Sequence, residues 1–200
     1  VLERQFIAFC FDRWIAHESS QVDVPRTLRK VLNNLDAEQQ QNLFPYNLLE
    51  YIKKNRTVLL DRFTGMFPNL PQEVDANIRA FVNEVEEGGG GLSLRILERL
   101  HETANEIKRL RQRASSLREA IKRHKNNPAK DQNYQEVLDD MENEKNSLGE
   151  IAGRLSRKNT YNFFSDEGLL PNYAFPEAGI SLRSIILRKK KKIDNQGKYE

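Results

Sequence analysis

Residues 93–158 read SLRILERLHETANEIKRLRQRASSLREAIKRHKNNPAKDQNYQEVLDDMENEKNSLGEIAGRLSRK, and two interleaved rows run through each half. In the first half Leu100, Ile107, Ala114 and Ile121 recur every seventh residue, and Ile96, Thr103, Leu110, Leu117 and His124 form a second row. In the second half Tyr134, Met141, Leu148 and Leu155 form one row, and Leu138, Lys145 and Ala152 the other. A seven-residue repeat keeps one stripe of a slightly underwound helix turned toward a partner, which is the seam of a coiled coil.

Between the halves lies Lys125-Asn126-Asn127-Pro128-Ala129-Lys130-Asp131. Pro128 cannot continue a helix, and Asn126 tolerates a left-handed cap. So short a connection makes the flanking helices antiparallel. The spacing predicts an antiparallel coiled-coil hairpin over 93–158 whose arms reach roughly 40 to 50 Å at about 1.5 Å per residue, and we expect it to protrude.

Gly88 to Gly91 precede the hairpin, and four consecutive glycines have almost no conformational preference. They predict a linker over 88–92 that separates the hairpin from a helical module over 1–87. Within that module Leu2, Phe6, Phe9, Cys10, Arg13 and Trp14 trace one face of a helix over Leu2 to Ile15, and Ile7, Phe11 and Ile15 make much of the other face apolar. Such a helix belongs in a core. Pro25 suits the first position of a helix carrying Leu28, Val31, Leu32 and Leu35, and Asp36 suits the cap of a short one over Ala37 to Leu43. Tyr46 to Phe63 and the residues after Pro71 show helical spacing, the latter through Val74, Ile78, Phe81, Val82 and Val85.

Composition narrows the class. The chain is 38% hydrophobic and 30% charged, and its 32 Lys and Arg nearly balance its 29 Asp and Glu, so net charge alone points to no partner. The sequence contains no run of about 20 apolar residues, so no membrane-spanning helix is expected. The single Cys10 cannot make an intrachain disulfide, and a cytoplasmic setting is expected. The apolar start at Val1 and the end at Glu200, without cap or stop, read as the edges of a piece of something larger.

No catalytic or metal-binding pattern stands out. His17, His101 and His124 lack metal-ligand spacing, and the four glycines lack the Lys-Ser or Lys-Thr of a phosphate-binding loop. Charge within the hairpin is more informative. Between His101 and Lys130, Lys108, Arg109, Arg111, Arg113, Arg118, Lys122, Arg123, Lys125 and Lys130 are set against only Glu102, Glu106 and Glu119, while acids dominate from Asp131 to Lys158. Pairing between the arms would absorb these charges, and contact with nucleic-acid phosphate would use them. The candidate contacts are Arg111, Arg113, Arg118, Lys122, Arg123 and Lys125. The run Lys189 to Lys192 has the same two readings, a solvated sheet edge or a phosphate contact.

After Lys158 the helical period stops. The region 159–200 reads as a loop with anchoring aromatics and prolines, followed by a β-strand in which Ile180, Leu182, Ser184, Ile186 and Arg188 alternate with Ser181, Arg183, Ile185, Leu187 and Lys189. The class predicted is mainly α, with a helical module, a hairpin and a short C-terminal loop and strand.

Residues 159–188, NTYNFFSDEGLLPNYAFPEAGISLRSIILR, resemble a segment of large bacterial superfamily-two DEAD/DEAH-box helicases that end in a zinc-binding cysteine domain, the Druantia, DISARM and MrfA-like helicases. The resemblance rests on Gly168, Leu170, Pro171, Tyr173, Phe175 and Pro176, and spans about 30 of the 200 residues. It implies a larger protein that translocates on or unwinds DNA with ATP and magnesium, in phage defence or repair. The phosphate-binding lysine, the acid pair and the cysteine ligands of that family lie outside Val1 to Glu200, so no catalytic residue, cofactor or metal ligand is carried over. Within the motif, Tyr173 and Phe175 would pack rigidly against the motor or stack on a base. The expected role is a non-catalytic accessory region acting as spacer, DNA guide or docking arm for a protein partner or the larger protein's own lobes. A coiled-coil adaptor that binds another protein by helix pairing is the alternative.

Overall fold

A computed structural model describes residues 2–17, 24–35, 42–83, 91–126 and 133–171. Seven helices account for 81% of these residues, which establishes the mainly α class. They are α1 (Leu2–His17), α2 (Leu28–Asn33), α3 (Tyr46–Thr64), α4 (Gln72–Asn83), α5 (Leu92–Lys125), α6 (Tyr134–Arg157) and α7 (Thr160–Asp166).

The core is built around α1. Phe6, Ile7, Cys10, Phe11 and Trp14 are buried, one or two per turn, so a broad face of the helix is removed from water. Trp14 stacks on Phe44, and Phe11 meets Phe164 edge to face with ring centroids 5.7 Å apart. At the other end of α1, Phe6 meets Phe63 of α3 edge to face at 5.2 Å. Each buried aromatic contributes on the order of 2 to 3 kcal/mol through burial alone, and such ring contacts add about 1 kcal/mol.

The same core includes residues from beyond the glycines. Leu92, Ile96 and Leu100 of α5 are buried with α1 and α3, and so are Phe163 and Phe164 of α7 and Leu169 after it. Leu92, assigned to the linker from sequence, is the first helical residue and only 2% exposed. Gly91 is the extended N-cap of α5, and residues 88–90 lie outside the described set. One apolar cluster thus draws on residues that the sequence assigned to separate segments.

Helices α5 and α6 pack side by side with opposite order of contact. Arg111 reaches Ser156 near the end of α6, whereas Lys125, the last residue of α5, reaches Glu142 in the first half of α6. Leu117, Ile121, Leu138 and Ala152 are buried between them. At about 1.5 Å per residue the 34 residues of α5 span about 51 Å, so its first turns lie in the core and the rest runs beyond.

The base of this pair is stitched to the chain before α2. Leu28 N–H donates to the Lys158 carbonyl at 2.9 Å, Thr160 N–H donates to the Arg26 carbonyl at 3.1 Å, and Thr27 and Asn159 form an isolated antiparallel bridge. The Thr160 hydroxyl donates to the Pro25 carbonyl.

Several sequence expectations need correction. Residues 160–166, expected as loop, form α7, because the Asn159 side chain accepts from the backbone N–H groups of Tyr161 and Asn162 and so caps a helix too short to show a period. Helix α2 starts at Leu28 rather than Pro25, because the bridge to Asn159 holds Thr27 extended. Asn126 ends α5 in the right-handed region, at φ −86°, instead of the left-handed one. The expected helix at 37–43 falls mostly on residues 36–41, outside the described set, as do residues 127–132 of the turn and the strand at 180–189.

Candidate nucleic-acid interface

All but one of the six candidate cations lie on the two flanks of α5 beside its buried row. Arg111, Arg118 and Lys125 recur every seventh residue with Lys122 between the last two, and at 100° per residue they share the flank on one side of the buried row. Lys108 extends this stripe by one turn toward the core. From Lys108 to Lys125 it is about 25 Å long. Arg113 lies on the other flank, and Arg123 lies on the outer face, turned away from the buried row.

Opposite α6 these residues have different partners. Arg113 pairs with Glu144 at 3.1 Å and Lys125 with Glu142 at 2.8 Å. The hydrogen bond between the latter two, with their mutual attraction, raises the Lys125 pKa above the usual lysine range and lowers that of Glu142 below the usual carboxylate range. Arg111 donates to the hydroxyl of Ser156 at 3.0 Å, and that hydroxyl donates in turn to the Ala152 carbonyl. Arg123 bonds only back to the Glu119 carbonyl of its own helix. Among the described residues Arg111, Arg118, Lys122 and Arg123 have no carboxylate within ion-pair distance. Pairing between the two helices therefore neutralises two of the six candidates.

Two open grooves border the stripe. One, of about 780 Å³, lies between α5 and α6 and is lined by Arg111 and Arg118 on one side and by Lys145, Glu150 and Arg157 on the other. Its floor is Ala114, Ala152, Gly149 and Gly153. A Cβ at Gly149 would meet nothing within 4 Å, so no packing contact explains a glycine there. The second groove, of about 450 Å³, runs toward α2 and is lined by Arg29, His101, Lys108 and Arg111 without any carboxylate. Arg111 and Ser115 line both. Sequence reading overlooked Arg29, Lys145 and Arg157, because they lie on other helices and only the fold brings them alongside the stripe.

Of the family-like motif, Gly168, Leu170 and Pro171 are described. Gly168 is buried at φ +68°, a left-handed conformation that favours glycine, and Leu170 is half-buried against the core. Tyr173, Phe175 and Pro176 lie outside the described residues.

Burial pushes the Cys10 thiol far up, which keeps it protonated and unreactive. Among the described residues no group of three His, Cys, Asp or Glu side chains is placed to hold a metal, and no helix is long and apolar enough to cross a membrane. The arrangement can attract and align a polyanion. No family model, curated protein or solved structure matches the chain.

Proposed function

We propose that this chain is a non-catalytic accessory region of a larger ATP-dependent DNA helicase, in which α5 and α6 form an antiparallel coiled-coil hairpin that guides DNA. The observation that carries the reading is the charge left over on α5. Arg111, Arg118, Lys122 and Arg123 have no ion-pair partner among the described residues, and cations in that state bind phosphate by releasing its condensed counterions. The hairpin reading is supported by burial, because every residue of the two heptad rows in α5 and α6 is buried or half-buried. The helicase reading rests on the motif at 168–176, with ATP and magnesium belonging to the larger protein's motor. A strand at 180–189 would then join a sheet of that motor.

Fluorescence anisotropy with labelled 30-mer DNA at about 20 mM salt tests the reading. The wild-type chain binds, and Arg118→Glu with Lys122→Glu and Arg123→Glu lowers affinity at least about tenfold and flattens the salt dependence by about three contacts. Absence of wild-type binding at low salt sinks the proposal. The neighbouring coding sequence provides a second check, since an upstream Gly-Lys-Thr loop and a DEAD/DEAH box are expected there.

A further inference from the structure

The charge on α5 does not act alone. Arg29 from α2, Lys108, Arg111 and Arg118 from α5, and Lys145 and Arg157 from α6 line two grooves that meet at Arg111. Six cations therefore border a continuous path with one carboxylate, Glu150, along it. Each lies on a helix, so its Cα position is fixed, and Arg111 is further oriented at the junction by its hydrogen bond to Ser156, a residue 4% exposed.

We propose that this path is a track for one sugar-phosphate strand of double-stranded nucleic acid, running from the α5–α6 arm across Arg111 onto the helical core beside α2. The inference rests on the DNA-guide reading and extends it from one helix to a surface shared by three. Charge complementarity selects a polyanion. The lining selects the backbone over the bases, because neither groove contains Phe, Tyr or Trp to stack on an unpaired base. A duplex keeps its bases stacked inside and presents phosphates outward, so it meets a basic groove whose one aromatic ring is His101 without losing stacking. Two helices packed about 8 to 10 Å apart leave room in their groove for one backbone and none for a whole duplex. Gly149 leaves its part of the groove floor without a side chain and the Arg157 guanidinium lies over Gly153, so a phosphate seated at Gly149 can be met by Arg118 and Arg157. Binding is then independent of sequence and steep in salt, with a slope of log K against log salt of about −5 for six contacts.

The test uses the whole chain and two variants outside the outer half of α5. Gly149→Leu fills the groove without changing charge, and the open space around Gly149 lets the helix accept it. Arg29→Ala with Arg157→Ala removes one cation from each of the two grooves. Both variants are expected to lose about tenfold in affinity for a mixed-sequence 30-mer duplex, and the double substitution to reduce the salt slope by about 2. Lys54→Ala with Arg62→Ala, a charge-matched pair on α3, is expected to change affinity less than about twofold. Wild-type duplex affinity is expected to equal or exceed that for a single strand of the same length. If the α5 charge reversal abolishes binding while Gly149→Leu and Arg29→Ala/Arg157→Ala bind like wild type, the track is wrong and the guide reading stands. A single strand bound more than about tenfold tighter than the duplex overturns the track as well. Absence of wild-type binding overturns both.

Discussion

The guanidinium of Arg4, in the first turn of α1, lies so close over Gly168 that a Cβ at position 168 would meet its Nη2 atom at 2.7 Å. Gly168 also sits at φ +68°, so a side chain there is opposed both by the backbone and by the neighbouring helix. This contact ties the start of the motif at 168–176 to the central helix of the core. Replacing Gly168 with Ala is expected to cost about 1 to 2 kcal/mol, mostly from the left-handed backbone, because Arg4 is a flexible side chain that can swing away. Urea denaturation measures it. Combining Gly168→Ala with Arg4→Ala should recover only a few tenths of a kcal/mol, and full recovery would make the steric contact the dominant effect.

Asn159 caps α7 through its side chain while its backbone neighbours bridge to the segment before α2. Asn159→Ala is expected to destabilise the fold by about 1 kcal/mol, and Asn159→Asp or Asn159→Ser to restore most of it. Amide exchange at Tyr161 and Asn162 reads the cap directly, and protection unchanged in the Ala variant would exclude it.

Phe164 is fully buried and its ring meets those of Phe11 and Phe44 at 5.7 Å. Truncation to Ala removes the transfer energy and leaves a cavity, so about 3 to 5 kcal/mol should be lost. Loss of less than about 1 kcal/mol would place α7 outside the cooperative unit. Phe164→Leu, which keeps most of the volume, is expected to cost less than half as much.

The exposed pair Arg113 and Glu144 contrasts with the buried Leu138 on the same interface. A double-mutant cycle on the pair is expected to give less than about 1 kcal/mol and to vanish in 1 M salt, because solvent screens it. Leu138→Ala is expected to cost about 2 to 4 kcal/mol at any salt concentration. The reverse ranking would mean that charge, not the apolar row, holds α5 to α6.

Lys125 and Glu142 form a contact whose pH window follows from their shifts. The carboxyl of Glu142 titrates below its unfolded value, so its contribution is complete above the ordinary glutamate pKa of about 4.3 and is lost as pH falls through the lowered one. The ammonium of Lys125 titrates above its unfolded value, so its contribution is complete below about pH 10.4 and is lost as pH rises through the raised one. The pair therefore persists across neutral pH. Side-chain NMR should place the Glu142 midpoint below that of an isolated glutamate, and Lys125→Ala should return it to the ordinary range. An ordinary midpoint in the wild-type chain would exclude the contact.

Helical periodicity is a local property, which is why α1, α3, α4, α5 and α6 were legible from spacing alone. The identity of the basic residues on α5 was also legible, but their state was not. Only the packing of α6 determined that Arg113 and Lys125 find carboxylates while Arg118 and Lys122 do not, and only the positions of α2 and α6 brought Arg29, Lys145 and Arg157 to the same path. Residues 160–166 mark the limit most clearly. Seven residues are too few for a helix to stabilise itself in water, and α7 forms through the Asn159 cap, the burial of Phe163 and Phe164, and a hydrogen bond from Thr160 to Pro25, 135 residues away in the chain. Sequence alone determined where helices repeat and where charge accumulates. Tertiary structure decided which short segments become ordered and which charges remain free, because both depend on partners that sequence distance does not reveal.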